Sequence, residues 1–207
     1  MAEYPAGLVR EHRLSDGRTV TIRPIRAEDA ARERAFLDEL SGESRYLRFH
    51  RWVNAPSERL IRFLTEVDYD RHMAFVCVVA AGDGERVVGE ARYQINPDGR
   101  SCEFGVMIAD AWHKTGIAGL LMAALIGAAR DRGLATMEGL VLRSNAAMMR
   151  FAQGLGFEVR SVPEDLTRVR IVKNLQPGTG PHAAPDPDFR AETPGAAGGK
   201  RAGTEPA

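Results

Sequence analysis

The sequence predicts a mixed α/β fold of the α+β kind, a mostly antiparallel central sheet with helices on both faces. Two observations carry this. Three strand-length apolar runs follow one another between His72 and Ala109, separated only by the turn clusters AGDGE and NPDG. After them a long helical stretch, a strand, a second helix and two further strands alternate. A meander that passes into βαβ alternation needs both antiparallel and parallel neighbours, hence a mixed sheet with helices packed on it.

Taken in order, Asp16 and Gly17 signal a turn, and Thr19 to Arg26 (TVTIRPIR) alternates like a half-buried strand. Pro24 places that strand at an edge or at its own end. Ala27, Glu28 and Asp29 open a helix reaching about Leu40, with Ala30, Phe36, Leu37 and Leu40 as apolar positions and the acids favouring the N-terminal dipole. Ser41 to Asp70 is a second helical region, strongest from Pro56 to Glu66, where Leu60, Ile61, Phe63 and Leu64 recur at helical spacing. The meander strands are His72 to Ala80, Arg86 to Ile95 and Ser101 to Ala109. Gly116 to Arg132 carries Leu120, Leu121, Ala124, Leu125 and Ala128 on one face, and Gly133 stops it. A strand from Thr136 to Leu142, a helix from Asn145 to Leu155, and strands at Phe157 to Ser161 and Arg168 to Lys173 complete the order. The folded domain is therefore expected over 19–175, after an N-terminal extension of 1–18. The segment 176–207, rich in Pro, Gly and Ala, lacks apolar periodicity and is expected to be disordered.

Composition narrows the function classes. A chain of 207 residues suits one domain with a substantial core. Lys plus Arg and Asp plus Glu each number 28, so no global field recommends nucleic acid or a membrane surface as partner. No apolar run approaches the roughly 18 residues of a membrane span, and no signal peptide opens the chain, so a cytoplasmic location is expected. Cys77 and Cys102 sit in apolar runs that could form neighbouring strands, and read as small core residues. The histidines His12, His50, His72, His113 and His182 are scattered, and no Cys/His spacing fits a metal site, so no metal is expected.

The informative segment is GVMIADAWHKTGIAGLLMAAL: strand, short loop, glycine-punctuated turn, helix. Such a junction aims free backbone N–H groups and the positive end of a helix dipole at one point, which suits an anion. Lys114, Thr115, Gly116, Ile117, Ala118 and Gly119 supply the amides, and the small Gly116, Ala118 and Gly119 admit a pyrophosphate close to the backbone. On its own the pattern also serves tight packing.

HKTGIA, Asn145 and the ending GLGF together resemble, in kind and spacing, the GNAT superfamily of N-acetyltransferases, with its Q/R-x-x-G-x-G/A motif, downstream Asn and Gly-Phe. The likeness runs from Thr19 to Lys173. DGRTVTIRPIRAEDA, SRYLRFH and CEFGVMI are most similar to the bacterial protein-lysine acetyltransferase branch. The resemblance implies acetyl-CoA as co-substrate, its pantetheine alongside Val106, Met107 and Ile108 where two central strands splay, and its pyrophosphate on Lys114 to Gly119. His113 departs from the motif's usual Gln or Arg. It reads equally as a pH-dependent charge and as an exposed loop histidine. Some members of the branch carry a fused nucleotide-sensing domain, which is not expected in cis here.

An amine attacks a thioester as the free base, whereas a lysine, with a pKa of about 10.4, is almost wholly protonated at neutral pH. Glu103 is the candidate general base. It lies on the cofactor strand in an otherwise apolar run, where partial desolvation suits a carboxylate to take a proton, and the resemblance implies that role. From its position alone Glu103 reads as well as a solvent-facing strand glutamate. Glu90 and Glu138 are weaker candidates. Ala152 stands where many relatives place a tyrosine acid, so water is expected to protonate the departing thiolate. Asn145 reads as a helix N-cap, a pantetheine contact, or both. Gly156, Phe157 and Trp112 read as turn and packing residues, and a backbone N–H near Ile108 is expected to polarise the thioester carbonyl. The acceptor is expected to be a protein lysine. The alternatives are a small amine or a non-catalytic acyl-CoA sensor, with the chain a monomer or homodimer.

Overall fold

One eight-stranded sheet organises the protein. Its strands are β1 (Arg10–Arg13), β2 (Thr19–Pro24), β3 (His72–Ala81), β4 (Gly84–Ile95), β5 (Ser101–Ile108), β6 (Thr136–Leu142), β7 (Glu158–Ser161) and β8 (Arg168–Asn174). They lie in the order β1-β2-β3-β4-β5-β6-β8-β7. The computed structural model describes residues 3–49 and 56–176, with the side chains of 48 and 49 excepted. Every neighbouring pair is antiparallel except β5 and β6, which run parallel because a helical crossover joins them. The expected mixed, mostly antiparallel sheet is present.

Among the described residues five α-helices accompany it: α1 (Ala30–Glu39), α2 (Gly42–Phe49), α3 (Glu58–Thr65), α4 (Ile117–Asp131) and α5 (Ala146–Gly154). β3 is the most buried strand, and its alternation feeds two cores. Met73, Phe75 and Cys77 join Leu121, Leu125 and Ala152 under α4 and α5. Ala74, Val76 and Val78 join Phe36, Leu37, Ile61 and Leu64 under α1 and α3. A strand covered on both faces reads as an unbroken apolar run, as His72 to Ala81 does. Caps follow local chemistry: Ser57 Oγ accepts from the Leu60 N–H at the start of α3, and Gly133, with φ +77°, ends α4.

Two expectations are corrected and one pair of alternatives is resolved. β1 falls within the residues read as an extension; REHR is exposed at both ends and carries no apolar alternation, so nothing in it marks a strand. It pairs with β2 across the anticipated Asp16–Gly17 turn. Pro24 ends β2, which lies between β1 and β3, so it marks a strand end and not a sheet edge. Cys77 and Cys102 are free and buried, but on β3 and β5, with β4 between them. Burial pushes both thiols up to about 12, as inert core residues require. Residues 50–55, within the second helical region, and the tail from 177, expected to be disordered, lie outside the described residues.

Candidate active site

β5 and β6 pair only at Ser101–Thr136, Cys102–Met137 and Glu103–Glu138. Beyond that rung β5 continues to Ile108 against β4 alone, and β6 continues to Leu142 against β8 alone. The two strands have separated, as the cofactor reading requires. Phe104 packs at the opening: a Cβ on Gly139 of β6 would stand only 3.0 Å from its ring, so a residue without a side chain lets the ring approach the strand. Phe157 packs against the same ring at 5.1 Å between centroids, which explains the Gly-Phe ending as core rather than chemistry.

Val106, Met107 and Ile108 lie past the last shared rung, their β6-facing backbone edge outside the ladder. Ile108 leads through a short 3-10 turn, Asp110–Trp112, to the loop that opens α4. Lys114 and Gly116 both have left-handed φ, +61° and +90°, which turn the chain sharply before the helix. Among the described residues, the N–H groups of Lys114, Thr115, Gly116, Ile117 and Ala118 meet no protein acceptor. They are five donors gathered at a helix N-terminus, an anion cradle. A Cβ at Gly116 or Gly119 would meet nothing within 4 Å, so this surface is open to a phosphate. Gly119 is a correction: its N–H already donates to Gly116 O at 3.0 Å, leaving it only the role of a small residue.

The loop is braced by contacts that local sequence patterns do not announce. Asp110 accepts from Ser41 N at 2.9 Å and from Ser44 Oγ at 2.6 Å, tying the start of α2 to the cofactor loop. Burial raises the Asp110 carboxyl, but these bonds and nearby His113 outweigh it and hold it below its ordinary value. The Arg18 guanidinium, from the β1–β2 turn, stacks on Trp112 at 3.9 Å. The Thr115 hydroxyl donates to Trp112 O at 2.7 Å, and the exposed His113 ring meets Ile108 O through Nε2 at 3.1 Å. Asn145 caps α5, its Oδ1 accepting from Met148 N at 3.0 Å. Its Nδ2 has no partner among the described residues and remains able to donate. Ala152 is fully buried.

The three carboxylates considered as bases occupy different surroundings. Glu103 is exposed, directly across from Gln94 on β4 and Glu138 on β6. The partial desolvation expected of it is absent, since its side chain is exposed to solvent. Glu138 is engaged by Arg170 at 2.9 Å and by Asn96 Nδ2 at 3.1 Å. Glu90 is buried and pairs with Arg92 Nε.

Glu90 belongs to a buried polar cluster on the α1/α3 face. Glu33 of α1 is fully buried, and among the described residues no N–H donor reaches its carboxyl. Burial first, and the Glu90 charge second, raise Glu33 well above the ordinary carboxylate range. Two adjacent buried carboxylates do not both ionise, and with Glu90 paired to Arg92 it is Glu33 that keeps its proton. Burial and Arg92 push His72, on β3, down to about 4, so it is neutral at physiological pH. The signs follow. Glu33 binds a proton that the unfolded chain has lost, so its contribution is full below pH 4.5 and fades as pH rises through its folded value. His72 contributes above pH 6.5 and loses about 3 kcal/mol as pH falls toward 4. Urea unfolding across this range should show Glu33→Gln gaining stability relative to wild type as pH rises above 4.5. Parallel curves would contradict the proton held on Glu33.

Comparison with known proteins shows the family. A family model described as acetyltransferase (GNAT) domain matches residues 19–158. The chain belongs to the GNAT acetyltransferase family. Enzymes of this family use acetyl-CoA as co-substrate, and the protein is an acetyl-CoA-dependent acetyltransferase. It is 40% identical over 157 residues to acetyltransferase PA5475 of Pseudomonas aeruginosa, covering 75% of this chain and 84% of that one. It is 32% identical over 136 residues to acetyltransferase Pat of Mycolicibacterium smegmatis, matching 65% of this chain but only 40% of that longer protein. Among solved structures it resembles the GNAT domain of S. lividans PAT, with TM-score 0.77 and 27% identity over 83% of this chain and 99% of that one. Among the described residues no cluster of His, Cys, Asp or Glu suits a metal ion, and no helix is long and apolar enough to cross a membrane.

Proposed function

We propose that this acetyltransferase transfers the acetyl group to the side-chain amine of a protein lysine, with Glu103 as general base. The observation that carries this reading is the exposure of Glu103 on an open stretch of sheet at the rung where β5 and β6 part. An open carboxylate is accessible to a side chain presented by a folded protein, whereas a closed pocket admits only a small molecule. The likeness of DGRTVTIRPIRAEDA, SRYLRFH and CEFGVMI to the protein-lysine branch supports it further.

Acetyl-CoA supplies an activated thioester. The free N–H groups of Lys114 to Ala118 suit its pyrophosphate, and Gly119 leaves room beside them. The unpaired edge along Val106, Met107 and Ile108 suits its pantetheine, with the Asn145 amide as a donor. From Ile108 back to Glu103 is about 17 Å of extended strand, so the phosphate cradle and the base stand toward opposite ends of one strand. Glu103 takes a proton from the acceptor ammonium, directly or through water, and the amine lone pair then forms the new C–N bond as the C–S bond breaks. Water protonates the leaving thiolate, since Ala152 offers no acid.

Free-thiol release with a panel of lysine-bearing proteins and small amines tests the assignment. Turnover on proteins is the expected result. Turnover confined to small amines would replace the acceptor, and CoA binding without any turnover would indicate a sensor.

A further inference from the structure

The sheet face that carries Glu103 also carries an aromatic side chain that neither the core nor the proton transfer employs. Phe63 of α3 is 46% exposed, while the buried residues of that helix are Ile61, Leu64 and Thr65. Its ring stacks on the His72 imidazole, with centroids 5.1 Å apart and planes 29° apart. One side of the ring covers His72, while nearly half of the side chain remains exposed to solvent.

The buried cluster holds that ring in place. Arg92 Nη2 donates to Leu64 O at 2.8 Å, fixing the last turn of α3 to β4 at the residue next to Phe63. Arg92 Nη1 meets His72 Nε2 at 2.9 Å, and its guanidinium carbon lies 6.0 Å from the Phe63 ring centroid. Glu90, beside the protonated Glu33, pairs with Arg92 Nε. Burying this many ionisable groups is costly without a return in stability, and the cluster fixes the orientation of one exposed ring.

The ring is in register with the base. His72, Gln94 and Glu103 are successive cross-strand partners on β3, β4 and β5, so their side chains share a face. With strands about 4.8 Å apart, His72 lies about 10 Å from Glu103. Gln94 and Glu103 are both exposed. A solvent-open shelf therefore leads from an apolar ring to a free carboxylate. A lysine arm needs those two things in that order, apolar contact for its four methylenes and a proton acceptor at its tip.

We propose that Phe63 is a specificity-determining residue, its exposed surface packing against the methylene arm of the acceptor lysine, with His72 and Arg92 as positioning residues that hold the ring. The proposal rests on the lysine reading above. Its test compares wild type, Phe63→Ala and Phe63→Leu on a lysine peptide and on the same peptide carrying 2,3-diaminopropionate, whose arm has a single methylene. Phe63→Ala should raise KM for the lysine peptide about tenfold, the loss of one apolar contact patch. Its kcat, its KM for acetyl-CoA and its KM for the short-armed peptide should stay within about twofold. Phe63→Leu, which restores an apolar surface, should recover most of the loss. Wild-type turnover with an unchanged lysine KM in Phe63→Ala overturns the role of Phe63 and leaves the lysine reading intact. No wild-type turnover on any lysine acceptor overturns both. Because Phe63 is half exposed, thermal melting should be little altered, and an equal rise in KM for both peptides would mark a folding defect and contradict the proposal.

Discussion

Glu103→Gln should lower kcat/KM for amine acceptors by about 10²–10³-fold at neutral pH, within the range for loss of a general base. Glutamine keeps the size and hydrogen bonding of the side chain but cannot take a proton. Neighbouring acids do not substitute for it: Glu138 is held by Arg170 and Asn96, and Glu90 is buried against Arg92. CoA affinity should be unchanged, because Glu103 lies five residues along the strand from Ile108 and farther still from the phosphate cradle. The defect should also shrink as pH approaches the lysine value of about 10.4, where the acceptor loses its proton without help. Thiol-release kinetics across pH, with calorimetric CoA binding alongside, measures both. A pH-independent defect would point to a positioning role for Glu103 instead.

The second large effect belongs to Gly116→Val. Gly116 has φ +90°, and a β-branched residue in the left-handed region costs about 1–2 kcal/mol. A Cβ there meets no protein atom within 4 Å, so the fold should survive the change. The added methyl groups project among the free N–H groups of Lys114 to Ala118, where a phosphate would approach. CoA affinity should fall about 10²-fold, with a modest drop in melting temperature, as calorimetry and thermal unfolding would show. Unchanged affinity would move the phosphate site away from this loop.

Sequence patterns made the long apolar elements legible. β3, β4, β5, α4 and β6 lie within a residue or two of their expected bounds, because each has a face or two committed to a core. β1 was invisible because an edge strand packed on little needs no apolar alternation. The sharp turn before α4 was readable from its glycines, yet the involvement of the Gly119 N–H with Gly116 O depends on the exact turn geometry. The exposure of Glu103 was misjudged for a related reason: flanking apolar residues on a strand report the opposite face as much as their own. Phe104 and Cys102 are buried in the core that includes α4, while Glu103 lies on the other face and is exposed.

The remaining site features are long-range and had no local signature. Ser44 meets Asp110 across 66 residues of sequence, and Arg92 reaches Leu64 O across 28. Arg18 over Trp112 joins the N-terminal hairpin to the cofactor loop. No periodicity marks such pairs, since each depends on which strands become neighbours. An Arg in the middle of a strand, bracketed by buried positions, is the one signal that could have pointed to Arg92.

The most direct test incubates the full chain with acetyl-CoA and lysine-bearing proteins and identifies modified residues by peptide mass spectrometry, beside a Glu103→Gln control. New Nε-acetyl-lysine that depends on active enzyme and largely disappears in the control is the expected result. Enzyme-dependent thiol release with small amines but no acetyl-lysine on any protein would contradict the assignment.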